Sequence, residues 1–215
     1  GLTDIYIPES VQTIGKGSFF GCGLPSVTLP AGLKKIGDYA FYQCAVLERV
    51  SLPLGLEKIG RSAFYSCTKL SKIDFPSTLT EIDAYAFYGC SSLTKVVLPQ
   101  SVKRLGENAF SRCSGLTSVS VGNGAVALGA RAFYECALLS EVSLGSSLVS
   151  VGESAFYGCT SLTRLILPNR LVSLGDSAFY GCTALESVTF GDGLKTIGDS
   201  AFYGCASLTA AALPA

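Results

Sequence analysis

The cysteines are the residues whose type and spacing could carry chemistry. All nine fill one position of a repeated pentapeptide, AFYGC or a close variant. Successive copies lie 23 residues apart, and only the step from Cys22 to Cys44 is one residue shorter. A metal site needs two to four soft ligands that converge at short motif spacing, and the chain contains no histidine. This spacing therefore predicts no metal site and no cofactor.

Disulfides are the other chemistry open to these thiols. Equivalent positions of adjacent coils in a stacked array lie about 4.8 Å apart, like neighbouring strands. That Cα separation is within disulfide range, but the Cβ vectors of stacked coils run parallel and do not converge. We therefore expect a column of buried thiols that act as small apolar groups. Such a column suits a reducing or anaerobic setting better than an oxidising secretory route.

Other reactive residue types form no recognisable constellation. Without histidine the usual general base is missing, and no G-x-x-x-x-G-K-[ST] phosphate loop occurs. The 16 basic and 16 acidic side chains balance, which argues against a dedicated nucleic-acid binder. No apolar run approaches the roughly 18 residues of a membrane span. The sequence therefore predicts a protein that is not an enzyme, binds no nucleic acid and has no membrane span in this segment.

The elements that position the cysteines come from the same repeat. A fixed period of this size indicates a stacked repeat array. The consensus is L-x-x-V-x-L-P-x-x-L-x-x-I-G-x-x-A-F-Y-x-C, clearly visible over residues 47–67. Its V-x-L alternation predicts a half-buried strand with Val50 and Leu52 inward, ended by Pro53. Its L-x-x-I-G segment predicts a second, shorter strand. There Gly60 turns the chain where a side chain would collide or φ must be positive.

The A-F-Y-x-C segment closes each coil. Ala63, Phe64 and Cys67 have the i,i+3 and i,i+4 spacing that places them on one face of a single helical turn. The following tyrosine, Tyr65 in this coil, faces outward and either packs along the next coil or contacts a partner. One coil cannot bury its phenylalanine alone, so neighbouring coils must supply the missing wall. The phenylalanines predicted to stack are Phe19, Phe41, Phe64, Phe87, Phe110, Phe133, Phe156, Phe179 and Phe202.

Together these elements predict a β-rich repeat solenoid with 23-residue coils and short helical turns. We expect residues 1–215 to form a single solenoid domain of about nine complete coils plus a terminal strand, with a first strand at residues 2–7. Solenoids normally carry polar caps, and neither end resembles one. The sequence is thus expected to be a segment of a longer protein with flanking domains.

The repeat resembles a known family. The string LTKVVLPQSVKRLGENAFSRC and its eight sisters resemble the BspA-like, or Treponema pallidum-type, leucine-rich repeats. The resemblance covers essentially all 215 residues, although the asparagine ladder of commoner leucine-rich repeats is missing. It implies a curved, right-handed solenoid with a parallel sheet on the concave face. Family members occur in surface proteins and several are adhesins, which implies a cell-surface or extracellular protein-binding scaffold.

No family-wide binding residues accompany the resemblance, so contact residues must come from the sequence itself. A stripe beside the second strand is charged in the N-terminal half and contains valines in the C-terminal half. An exposed apolar patch often marks a contact site, although such a ladder also simply suits a strand. The outward positions of the first strand add a modest basic spot and an apolar residue. The predicted protein contacts are Val126, Val149, Val172, Lys72, Lys95 and Ile166.

The alternative function is a structural subunit of a large intracellular or organellar assembly, which would use the solenoid faces as docking surfaces.

Overall fold

The computed structural model describes residues 4–212. Within that range the chain forms seventeen short strands and no helix. Nine strands contain two residues each: β1 (Thr13–Ile14), β3 (Lys35–Ile36), β5 (Lys58–Ile59), β6 (Glu81–Ile82), β8 (Arg104–Leu105), β10 (Ala127–Leu128), β12 (Ser150–Val151), β14 (Ser173–Leu174) and β16 (Thr196–Ile197). Eight contain three residues each: β2 (Ser26–Thr28), β4 (Arg49–Ser51), β7 (Lys95–Val97), β9 (Ser118–Ser120), β11 (Glu141–Ser143), β13 (Arg164–Ile166), β15 (Ser187–Thr189) and β17 (Ala210–Ala212).

The two-residue strands form one continuous parallel sheet of nine strands. Each pairs with the strand one coil away, as Ile59 pairs with Ile82. The second residue of each strand is buried from Ile14 to Leu174 and becomes exposed at Ile197. The predicted second strand of each coil is therefore confirmed, and it forms the most regular part of the solenoid.

The three-residue strands are also parallel, but their ladder is interrupted twice. They form separate sheets, β2-β4, β7-β9-β11 and β13-β15-β17. At the first interruption Lys72 makes only an isolated bridge with Arg49. At the second, β11 and β13 do not pair.

The predicted inward position of the first strand is confirmed, since Val50 is buried. Residues 4–7 lie in no strand, contrary to the predicted first strand, and positions 2 and 3 lie outside the described residues.

The A-F-Y-x-C segment forms tight turns and no helix, which corrects the predicted helical turn. The amide of Phe64 donates to Ala86 O in the next coil at 2.7 Å, whereas the amide of Tyr65 donates to Ser62 O within its own coil at 3.2 Å. A helix would direct every amide to its own coil. The alternation is completed by left-handed φ values of 52° at Ser62 and 54° at Ser66. Competition from the next coil for every second amide therefore prevents a helix.

The predicted aromatic and thiol columns are present in the core. Neighbouring repeat phenylalanines stack with ring centroids 5.1 Å apart at Phe87–Phe110 and 5.6 Å apart at Phe110–Phe133. All nine cysteines are free thiols, and the seven from Cys44 to Cys182 are buried. Each buried thiol donates to the phenylalanine carbonyl of the preceding coil, as Cys67 Sγ donates to Phe41 O at 3.1 Å. The thiols therefore pack as small groups and also tie successive coils together.

A glycine follows the second strand because a side chain there would collide with the preceding coil, and not because the backbone is left-handed. A Cβ placed on Gly106 would lie 2.4 Å from Ala84 N in the preceding coil. Such a separation requires the main chain to move. Left-handed glycines occur instead just before the cysteines, as at Gly89 with φ of 69°. The choice that the sequence left open at this corner is thus decided by the approach of the neighbouring coil.

Candidate functional site

The valine column, Val126, Val149 and Val172, lies along the nine-stranded sheet. The amide of Val149 donates to Val126 O at 2.8 Å, and that of Val172 donates to Val149 O at 2.8 Å. The three residues therefore stack on consecutive coils, as predicted from their spacing. Val126 is 49% exposed, whereas Val149 and Val172 are half-buried. The stripe is thus a narrow apolar ridge of partly shielded side chains.

The outward side of the three-residue strands, called here the strand face, carries the other predicted contacts. Ile166 is 70% exposed and Val97 is 49% exposed. Lys72 and Lys95 are exposed on successive coils, but Lys72 Nζ lies 2.8 Å from Asp74 Oδ2. The charge of Lys72 is therefore partly neutralised, and the predicted basic spot is weaker than the sequence alone indicates. The six predicted residues lie in two separate groups and not in one site.

Three clefts open on the strand face. A cleft of about 420 Å³ is lined by Lys72, Asp74, Lys95 and Val97 at the first interruption of the ladder. Two more, of about 430 and 670 Å³, lie at the second interruption and share Val142, Ser143 and Ile166. The clefts thus coincide with the places where neighbouring strands do not pair. We call the two joined clefts at β11 and β13 the groove.

Of the residues that line the groove, only Lys95 and Ile166 were predicted from the sequence as contacts. Val142 occupies the inward position of its strand, yet it is only half-buried, whereas Val119 and Leu165 on the flanking coils are 3% and 1% exposed. Val142 fits the repeat as well as its neighbours do. The local sequence gives almost no signal, because Gly145 replaces the consensus proline just as Gly122 and Gly191 do, and Ser146 and Ser147 fill variable positions.

The outward tyrosines stack along the solenoid. Ring centroids are 4.7 Å apart for Tyr65–Tyr88 and 4.9 Å apart for Tyr134–Tyr157. The ladder is interrupted at Ser111, whose hydroxyl donates to Asn108 Oδ1 at 3.0 Å. Stacking leaves the rings half-buried from Tyr42 to Tyr180, and only the last ring, Tyr203, is exposed. This favours their packing role over a contact role.

The ionisable groups in the core are cysteine thiols that burial keeps protonated. Burial raises the pKa of the Cys90 thiol to about 12 and that of the Cys136 thiol to about 12. The thiolate is the nucleophile and the metal ligand, so these thiols are inert at neutral pH. Among residues 4–212, no group of three or more cysteine, aspartate or glutamate side chains could hold a metal ion.

With the coil geometry established, the repeat can be compared with known proteins. The sequence matches the family described as BspA type Leucine rich repeat region, with six copies, over residues 1–117 and 110–215. This chain belongs to the BspA type leucine-rich repeat family. Comparison with curated proteins gives no match.

Two solved structures of leucine-rich repeat proteins resemble this member of the family. The leucine-rich repeat protein from Bacteroides ovatus is 32% identical, with a TM-score of 0.53, over 98% of this chain and 66% of that chain. The T. pallidum leucine-rich repeat protein is 31% identical, with a TM-score of 0.64, over 91% of this chain and 82% of that chain. This chain therefore spans just under two thirds of the Bacteroides ovatus protein.

Membership of the family narrows the class of function. Leucine-rich repeat proteins are generally non-catalytic, and their extended faces suggest a protein-interaction scaffold. In the part of the chain that the structure describes, no helix has the length and apolar character needed to cross a membrane. The family and the fold therefore suggest a protein-interaction scaffold.

Proposed function

We propose that this chain is a non-catalytic protein-binding scaffold that serves as a surface recognition or adhesion module. The observation that carries the proposal is the valine column, an apolar ridge on an otherwise polar ladder. At one end the main-chain carbonyl of Lys103 accepts from the amide of Val126, and at the other the amide of Lys195 donates to Val172 O. An apolar centre with a charged rim is the usual anatomy of a protein interface.

The cell-surface or extracellular location follows from the family resemblance and is part of the proposal. The buried thiol column adds that the setting is reducing or anaerobic. Residues 1–215 would then be one solenoid domain within a longer surface protein.

A charge placed on the valine column tests the proposal. Val149→Lys keeps the main-chain ladder, and its long side chain can reach solvent, so folding should be retained. The partner complex should weaken about tenfold or more, because a charge would be buried against an apolar surface. The matched control is Val46→Lys, at a valine that is 38% exposed away from the column.

The measurement is surface plasmon resonance of the chain and both variants against a panel of purified extracellular-matrix proteins, with circular dichroism as the folding control. Surface biotinylation of intact cells that express the natural protein tests the location. Equal binding by Val149→Lys and the unchanged chain would remove the valine column as the contact. Absence from the cell surface, with co-elution at fixed stoichiometry in a large complex, would favour the assembly-subunit alternative.

A further inference from the structure

We propose that the groove between β11 and β13 is a docking site for an extended, acidic peptide segment of a partner protein. This inference rests on the proposed protein-binding function and assigns it a second surface, separate from the valine column.

The first observation is that main-chain groups face the groove without a strand partner. The amide of Glu141 donates to Thr117 O at 3.2 Å, and Ser143 O accepts the amide of Val121 at 2.8 Å, both in the coil of β9. Successive residues of a strand direct these groups to opposite sides, so the amide and carbonyl of Val142 face β13. Because β11 and β13 do not pair, these groups have no strand partner, although the two strands stay too close for a third strand to fit between them.

The same alternation applies on the other side of the groove. The amide of Leu167 donates to Thr189 O at 2.9 Å, toward β15. The main-chain groups of Ile166 therefore face β11. Main-chain donors and acceptors therefore line both sides of the groove, where a peptide lying along its opening can form hydrogen bonds with them.

The second observation is an apolar floor. Val142 and Leu144 are half-buried, whereas their counterparts Leu165 and Leu167 in the next coil are 1% and 2% exposed. Ile166 stands beside them at 70% exposure. Alternate side chains of an extended peptide need such apolar positions. Small hydroxyl residues, including Ser143, Ser146 and Ser147, also line the groove.

The third observation is the charge of the lining. Lys95, Arg164 and Arg170 line the groove, against one acidic residue, Glu141. Within residues 4–212 none of these four side chains forms a salt bridge, although Arg112 and Glu135 pair at 2.9 Å across adjacent coils. The excess of unpaired cations selects an acidic partner, and guanidinium groups bind carboxylates strongly.

The test uses the whole chain and a fluorescein-labelled peptide in which glutamate and valine alternate. Fluorescence anisotropy should show saturable binding that weakens with added salt. The same peptide with lysine in place of glutamate should not bind.

Arg164→Glu should weaken the binding of the acidic peptide about tenfold or more, since one charge-assisted contact is replaced by repulsion. The matched control is Arg49→Glu. It reverses the charge at the equivalent position, the first residue of β4, which lies far along the chain from the groove. Amide hydrogen exchange gives a second readout, with protection expected at Val142 and Ile166 when the acidic peptide is added.

Equal binding of the acidic and basic peptides, or equal effects of Arg164→Glu and Arg49→Glu, would overturn the proposal. So would the absence of binding by the acidic peptide. If the peptide test fails but Val149→Lys still weakens the partner complex, the groove proposal is wrong and the proposed function stands. Failure of both would reject the scaffold function for these surfaces.

Discussion

The buried thiol column predicts a steep loss of stability at alkaline pH. Burial raises the thiol pKa from the ordinary value of 9.0 to about 11 at Cys44 and to about 12 at Cys90 and Cys136. Burial also raises the pKa of Cys67, Cys113 and Cys159. Above pH 9 the unfolded chain releases these protons while the folded chain keeps them. Protonated thiols therefore stabilise the fold fully below pH 9, and this contribution is lost as the pH rises toward 11–12.

The magnitude follows from proton linkage. A thiol whose pKa rises from 9.0 to about 11 or 12 loses about 1 kcal/mol of stabilisation between pH 8 and pH 10. The thiols of Cys44, Cys90 and Cys136 together lose about 3–4 kcal/mol, which is a large fraction of the stability of a typical domain. The chain should therefore lose a large part of its free energy of unfolding across this interval.

The assay is urea unfolding followed by circular dichroism at several pH values under anaerobic, reducing conditions. Cys90→Ala provides the matched comparison, because it removes one titrating thiol and keeps the rest. Its loss of stability between pH 8 and pH 10 should be about 1 kcal/mol smaller than that of the unchanged chain. A free energy of unfolding that stays constant over this interval would refute the reasoning, as would an identical loss in Cys90→Ala.

Two further predictions concern packing between coils. Phe110→Ala should cost about 3–5 kcal/mol in urea unfolding, because its ring is fully buried between two others. Phe20→Ala, at a ring that is 55% exposed, should cost about 1 kcal/mol; equal costs would contradict the stacked core. Gly106→Ala should cost about 1–3 kcal/mol, because its Cβ would collide with the main chain of the preceding coil. Gly15→Ala is the control at the same repeat position, where a Cβ would meet only Ser18 Oγ at 3.4 Å. Thermal unfolding measures both glycine variants, and equal melting temperatures would reject the collision.

Much of the fold could be predicted from the sequence because each coil repeats the same local rules. Alternation fixes the inward side of a strand, so Val50 and its equivalents could be assigned to the core. The constant period fixes stacking, so Phe64 and Cys67 could be placed in continuous columns. The valine column could be located for the same reason, whereas its role as a contact remains a prediction.

Features that depend on the neighbouring coil could not be predicted in this way. The turns at A-F-Y-x-C arise because the next coil takes every second amide, as Phe64 donates to Ala86 O, and i,i+4 spacing contains no such information. The pairing of Lys72 with Asp74 likewise depends on rotamers that spacing does not specify.

The sequence by itself determined the solenoid, its 23-residue coil and the identity of its core columns. The tertiary structure alone decided where the strand face opens. Val142 and Leu165 obey the same local pattern, yet β11 does not pair with β13. Pairing depends on how two coils approach each other across the whole cross-section, which no single coil encodes. The groove is therefore a property of the stack, whereas the core is a property of the repeat.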